Sequence, residues 1–191
     1  MRDDDLVVLE SGHVTRRALA PPGVPFRRKG MFVTVEGVDG AGKTTLARQL
    51  VGLLDNAVYT TEPYNRSHFD VAVWKSPEYI RDRREHVRDF IKPHVLAGHD
   101  VICDRYAGSQ YAYQRVPWKV ACPYEPDLTL LLDTPLDVCV QRVRERGEPF
   151  EHLAEVAERY ESLEDHTRVA RVRTCDDALC EIMKLLGLED Q

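Results

Sequence analysis

No run of apolar residues in the 191-residue chain is long. The longest, Leu6 to Leu9 and Leu128 to Leu132, fall far below the roughly 18 residues that a membrane span needs, so no transmembrane helix is expected. Cysteine is sparse and unpatterned: Cys103, Cys122, Cys139, Cys175 and Cys180 are odd in number and form no Cys-x-x-Cys pair. They read as reduced structural thiols in a cytoplasm, that of the host if the chain is viral. There is no internal repeat and no low-complexity tract. Positive charge is not in excess either, since the formal net charge is -6. The first thirty residues hold six basic and four acidic side chains, which leaves twenty basic against twenty-eight acidic, or -8, for residues 31–191. An acidic body argues against holding DNA by a general field, although a few local cations can still hold a small anion. Asp3, Asp4 and Asp5 stand where a signal peptide would be basic, and none is expected.

What is present is globular: 43% hydrophobic and 30% charged residues, enough for one core. Residues 1–30 read as an extension, a short extended element followed by a linker broken by Pro21, Pro22, Gly23 and Pro25. Its five basic residues from Arg16 to Lys29 either touch nucleic acid or form a solvated tail. Residues 31–191 read as one α/β domain. Strands are expected at Phe32–Glu36, Ala57–Thr60, Asp100–Cys103, Leu128–Asp133 and Ala170–Thr174. Helices are expected at about 43–54, 77–97, 110–116, 135–146, 149–164 and 176–186. Short Val/Leu/Ile-rich strands separated by helices indicate a parallel sheet covered on both faces.

The first strand runs into Gly37-Val38-Asp39-Gly40-Ala41-Gly42-Lys43-Thr44, followed by the helical Thr45-Leu46-Ala47. This is the phosphate-loop pattern in its required strand-to-helix setting. The glycines let backbone wrap a phosphate, and the helix N-terminus adds unsatisfied N–H groups and a positive dipole end. Lys43 is expected on the β- and γ-phosphates and the Thr44 hydroxyl on Mg²⁺. The chain is therefore expected to bind a nucleoside triphosphate, ATP in the simplest case.

Three further clusters could carry a second substrate. Arg83 stands on the apolar stripe Ile80, Val87, Phe90 or Ile91, and Val95, one turn after Tyr79. An aromatic face beside a bidentate arginine suits a nucleotide. Equally, Arg83 could pair with Asp82 or reach for solvent. Asp104, Arg105 and Tyr106 follow a buried strand at its carboxyl end, where ligands of parallel sheets sit. Asp104 could hold Mg²⁺ and Arg105 a phosphate, or the two could simply close the strand as a pair. Arg142, Arg144 and Arg146, before Gly147, either close over a triphosphate or form the solvated face of a helix.

Taken together, these segments resemble thymidylate kinase, a P-loop nucleoside monophosphate kinase. The likeness rests on Phe32 to Thr45 with its acidic Asp39, on Glu62-Pro63, and on Tyr79 to Val87 with Ile91-Lys92-Pro93. Val101 to Tyr106, Ser109 to Gln114 and the arginine-rich stretch to Glu148 continue it. The resemblance implies a three-layer P-loop kinase fold, a five-stranded parallel sheet with helices on both faces, and often a homodimer. It implies ATP and Mg²⁺, with transfer of the γ-phosphoryl group to dTMP or a related pyrimidine nucleotide. Gly37 to Thr45 would hold ATP, and Thr44 and Asp104 the metal. Tyr79 would stack on the acceptor base, Arg83 and Arg105 would hold its phosphate, and Asp39 would lie near the 3′-hydroxyl. Gln110 would read the base edge, Tyr113 would disfavour a ribose 2′-hydroxyl, and Glu62 would line the site. Arg144 and Arg146 would act from the lid.

The chain departs from that pattern in three places. Thr61 stands where the family has an arginine before Glu-Pro, only fifteen residues separate Pro63 from Tyr79, and the lid after Gly147 is short. The first two favour an alternative, a kinase of a hydroxyl on a deoxynucleoside or on a hydroxymethylated pyrimidine in DNA, with Asp39 or Glu62 as base. Only under that alternative is nucleic acid a partner, and the acidic body argues against it. A third reading is a nucleotide-binding regulator without transfer activity.

Overall fold

Three short strands precede the phosphate loop. β1 (Leu6–Val8) pairs antiparallel with β2 (Val14–Arg16) and with β3 (Arg27–Arg28), giving a small sheet of order β2-β1-β3 where one extended element and a linker were expected. The β-branched valines and threonine in β1 and β2 favour such pairing. The computed structural model describes residues 6–8, 14–16, 27–65, 76–173 and 178–186, so the prolines of the expected linker lie outside the described residues.

β4 (Phe32–Glu36) is buried along its whole length, without the alternation of a half-exposed strand, because it is covered on both faces. With β5 (Ala57–Thr61), β6 (Asp100–Asp104), β7 (Leu128–Leu132) and β8 (Val169–Val172) it forms an all-parallel sheet of order β5-β6-β4-β7-β8. Two carboxylates anchor its lower edge: Asp100 accepts from the Met31 N–H and Asp127 from the Phe32 N–H, each at 2.7 Å. The expected parallel α/β architecture is the observed one. Cys103, Cys122 and Cys139 are free and buried.

The helices are α1 (Lys43–Leu53), α2 (Ser76–His86), α3 (Lys92–Leu96), α4 (Ala107–Gln114), α5 (Trp118–Ala121), α6 (Leu136–Glu145), α7 (Leu153–Glu161) and α8 (Ala178–Leu185). Between α2 and α3 the chain makes a π-helical turn over Val87–Ile91, so the single helix expected at 77–97 has a widened middle. Pro93 cannot donate to the carbonyl of Asp89, and its ring needs space there. The inward residues Arg83, Val87, Ile91 and Val95 recur every four positions. An α-helix would rotate each by about 40° off the stripe, and the wider turn corrects that drift. Among the described residues, no helix is long and apolar enough to cross a membrane.

Candidate active site

The loop after β4 is shaped from outside as much as by its glycines. At Gly40 (φ +87°), a Cβ would stand 2.5 Å from the Cys139 carbonyl oxygen on α6, so no side chain fits. The Thr134 hydroxyl donates to the Ala41 carbonyl at 2.9 Å, and Arg142 donates to the Gly40 carbonyl at 2.9 Å. Lys43 folds back into the loop, donating to the Gly37 and Val38 carbonyls at 2.9 and 2.8 Å, and lies 3.5 Å from Asp39 Oδ1. Burial first, and then the Arg105 guanidinium, pull the Lys43 ammonium down from 10.5 to about 8, against the attraction of Asp39, Glu36 and Asp104. The loop from Asp39 to Leu46 floors a cleft of about 740 Å³ walled by Arg142, Arg146 and Leu179.

Beside this cleft, Thr44 Oγ1 donates to Asp104 Oδ2 at 2.5 Å, and the Tyr59 hydroxyl donates to the same oxygen at 3.2 Å. Asp104 Oδ1 is buried and has no hydrogen-bond partner among the described residues. An orphaned buried carboxylate oxygen costs about 1–3 kcal/mol or more, and it calls for an occupant. A hydroxyl and one carboxylate are hard oxygen donors of the kind Mg²⁺ takes when phosphates complete its shell, so the residues fit that ion. Among the described residues no group of three or more His, Cys, Asp or Glu could hold a metal by itself.

A second cavity of about 500 Å³ opens on the other side of Asp39 and Arg105, which line both spaces. Arg105 follows β6 in the left-handed region (φ 69°), a costly conformation for a long side chain. Its guanidinium pairs with the Asp39 carboxylate. Burial alone would raise the Asp39 carboxyl, but Arg105 and Lys43 bring it down to about 2. The Asp39 N–H donates to the Tyr113 hydroxyl at 2.8 Å, and Tyr79 and Gln110 also line the cavity.

Arg83 is not paired with Asp82, which instead accepts from the backbone N–H groups of Tyr64 and Asn65. All five Arg83 donors are engaged inside the protein. Nε and Nη2 reach Glu62 Oε2 at 2.8 and 2.6 Å, Nη2 also reaches the Tyr106 carbonyl at 3.2 Å, and Nη1 reaches Gln110 Oε1 at 2.5 Å and the Ala121 carbonyl at 2.8 Å. Glu62 also accepts from His86 Nδ1 at 3.2 Å. Burial pushes the Glu62 carboxyl up, yet Arg83 and His86 hold it below its ordinary value. Arg83 thereby fixes the amide oxygen of Gln110 at the cavity wall.

Most of the residues singled out in the sequence line one of the two cavities; Gly37, Val38, Asp104 and Arg144 do not. Arg142 on α6 and Arg146, the residue that caps it one turn later, reach the donor cleft, whereas Arg144 lies about 200° around the helix from Arg142. The Arg144 guanidinium stacks 4.6 Å above the Phe150 ring instead. Thr61, in the place of the family's arginine, turns to its neighbour's carbonyl and lines neither cavity. Glu36 was missed. It accepts from the Tyr106 N–H (2.8 Å), Ser109 Oγ (2.7 Å) and the Tyr160 hydroxyl (3.1 Å), pairs with no cation among the described residues, and burial raises its carboxyl. The signal was a charged residue ending a five-residue strand that otherwise carries no charge.

The thymidylate kinase family model matches residues 78–180. A probable thymidylate kinase of Methanococcoides burtonii is 37% identical over 147 residues, covering 63% of this chain and 73% of that protein. The thymidylate kinase of Xylella fastidiosa strain M12 is 41% identical over 149 residues, covering 65% and 68%. That of Xanthomonas campestris pv. campestris strain B100 is 37% identical over 150 residues, covering 65% of each. With a family match over more than half its length, on a parallel sheet that carries a phosphate loop, the chain belongs to the thymidylate kinase family.

Proposed function

We propose that the chain transfers the γ-phosphoryl group of ATP to dTMP. The observation that carries this reading is the meeting of two cavities at one ion pair: the phosphate loop lies on one side of Asp39 and Arg105, and an aromatic, amide-lined space lies on the other. ATP would lie in the larger cleft, its phosphates on the loop N–H groups and Lys43, with Arg142 and Arg146 beside them. Mg²⁺, held by Thr44 and Asp104, would neutralise charge between the β- and γ-phosphates. The acceptor base would stack on Tyr79 and meet Gln110, whose amide oxygen accepts from Arg83 and whose nitrogen, with one N–H toward Gln114, would offer the other to the base. Tyr113 would crowd the sugar, Asp39 would lie near its 3′-hydroxyl, and Arg105 would hold the monophosphate. Transfer in line then needs positioning and charge neutralisation rather than covalent help. We take residues 31–191 as the kinase domain, with residues 1–30 as an extension. Buried free thiols at Cys103, Cys122 and Cys139 support a reducing compartment.

A hydroxyl acceptor has no support in the comparisons, and the chemistry opposes it. Such an acceptor needs a base, but Asp39 sits near 2 and Glu62 below its ordinary value, both poor proton acceptors. A phosphate acceptor arrives already ionised and needs none. The test is ATP consumption with dTMP, dUMP, dCMP, thymidine and hydroxymethylated duplex DNA. Turnover strongest with dTMP is expected, and turnover confined to thymidine or to the modified DNA would overturn the reading.

A further inference from the structure

The Asp104 carboxylate is bonded on one side only, and the second bond to that side comes from a strand that the phosphate-loop motif does not include. Resting on the reading of Thr44 and Asp104 as metal ligands, we propose that Tyr59 is a positioning residue for Mg²⁺: its hydroxyl pins Asp104 Oδ2 beside Thr44 and reserves Oδ1 for the ion.

An aspartate carboxylate turns readily about its last torsion, so a single donor from Thr44 would not decide which oxygen stays open. Two donors converging on Oδ2, from Thr44 at 2.5 Å and Tyr59 at 3.2 Å, do decide it. The other oxygen is left buried and unbonded among the described residues. Strand register explains why a tyrosine is needed. Thr61 is the residue of β5 paired with Asp104, so Tyr59, two positions back, is on the same face but a diagonal step away. A valine or leucine there could not span the gap, whereas a phenol can.

The ring is itself held. The Arg48 guanidinium lies 5.6 Å over its centroid, and Arg48 stands one turn after Thr44 on α1. Helix α1 thus contributes the hydroxyl that touches Asp104 directly and the cation that steadies the ring touching it from β5. Four residues on three elements form a closed loop around one carboxylate, as metal sites do with the groups behind their ligands.

The test compares wild type with Tyr59→Phe, which keeps the ring and removes the hydroxyl, and with Arg48→Met. The dissociation constant of ATP is measured by calorimetry in EDTA and across a MgCl₂ titration, with no acceptor present. In wild type, MgCl₂ is expected to tighten ATP binding. In Tyr59→Phe, affinity in EDTA should be unchanged, while the MgCl₂ concentration for half-maximal tightening rises about tenfold; Arg48→Met should shift it less and in the same direction. An unchanged MgCl₂ response in Tyr59→Phe overturns the proposal. So does an equal loss of affinity with and without the metal, which would mark a merely structural role. A wild type indifferent to MgCl₂ removes the metal reading itself, a failure distinct from that of Tyr59 and visible before any variant is made.

Discussion

At the scale of single residues, the centre of the site is a contest for charge. Lys43 and Arg105 share Asp39, and burial makes the lysine the weaker holder of its proton. In the ligand-free protein its ammonium deprotonates as pH rises through about 8, and a bound triphosphate should draw the proton back. ATP affinity should therefore change little just below pH 8, while its terminal phosphate stays fully ionised, and weaken above it by up to about tenfold per unit, with proton uptake on binding seen by calorimetry in buffers of different ionisation enthalpy. Stability runs the other way. Because the unfolded chain holds this proton more tightly, with an ordinary value of 10.5 against about 8, the ligand-free fold should gain stability across that window, measurable by urea unfolding. Arg105 gives a second prediction. Its positive φ penalises any Cβ, so Arg105→Gly should be about 1 kcal/mol more stable than Arg105→Ala, a melting difference of about 2–4 °C, while both lose turnover with dTMP.

At the scale of elements, helix geometry sorts the three arginines of the lid side. Arg142 should matter most, because it both lines the donor cleft and bonds the Gly40 carbonyl. Arg142→Ala should lower kcat/KM for ATP by about tenfold or more, against about twofold or less for Arg144→Ala, in steady-state kinetics. Reading the sequence assigned Arg144 and Arg146 to the site and left out Arg142, although a two-residue offset on a helix already places Arg144 on another side. The five strands were legible to within about two residues because the three central ones are largely buried runs and the two edge strands, though only partly buried, are rich in β-branched residues. The π-helical turn was not, since the four-residue spacing of Arg83, Val87, Ile91 and Val95 fits an α-helix loosely and only packing decides. Nor was the partner of Arg83, because Glu62 and Gln110 come from distant segments that the sheet brings together. Glu36 shows the same limit. It ties β4 to the start of α4 and to Tyr160 on α7, and a Cβ on Gly108 would stand 2.8 Å from its carboxyl. Gly108→Ala should therefore destabilise the fold by about 1–3 kcal/mol and raise KM for dTMP more than KM for ATP.

At the scale of the whole molecule, the two cavities share Asp39 and Arg105 in their walls. A single ligand carrying adenosine and thymidine at the ends of a polyphosphate chain should bind far more tightly than ATP or dTMP alone, since the second half arrives at high local concentration. Calorimetric titration of the three ligands checks this, and equal affinity for the linked ligand and ATP would mean that the cavities do not communicate. The strand order has a consequence in time as well. β4 has no neighbour close in sequence: its partners lie 69 and 95 residues along the chain, at Val101 and Leu128. Contacts that distant form late in folding. During synthesis the phosphate loop leaves the ribosome long before the strands that hold it open, so the nascent segment carries the motif without the site. ATP should therefore bind well only after β7 and the helices beyond it have docked, so nucleotide binding would report a late stage of folding.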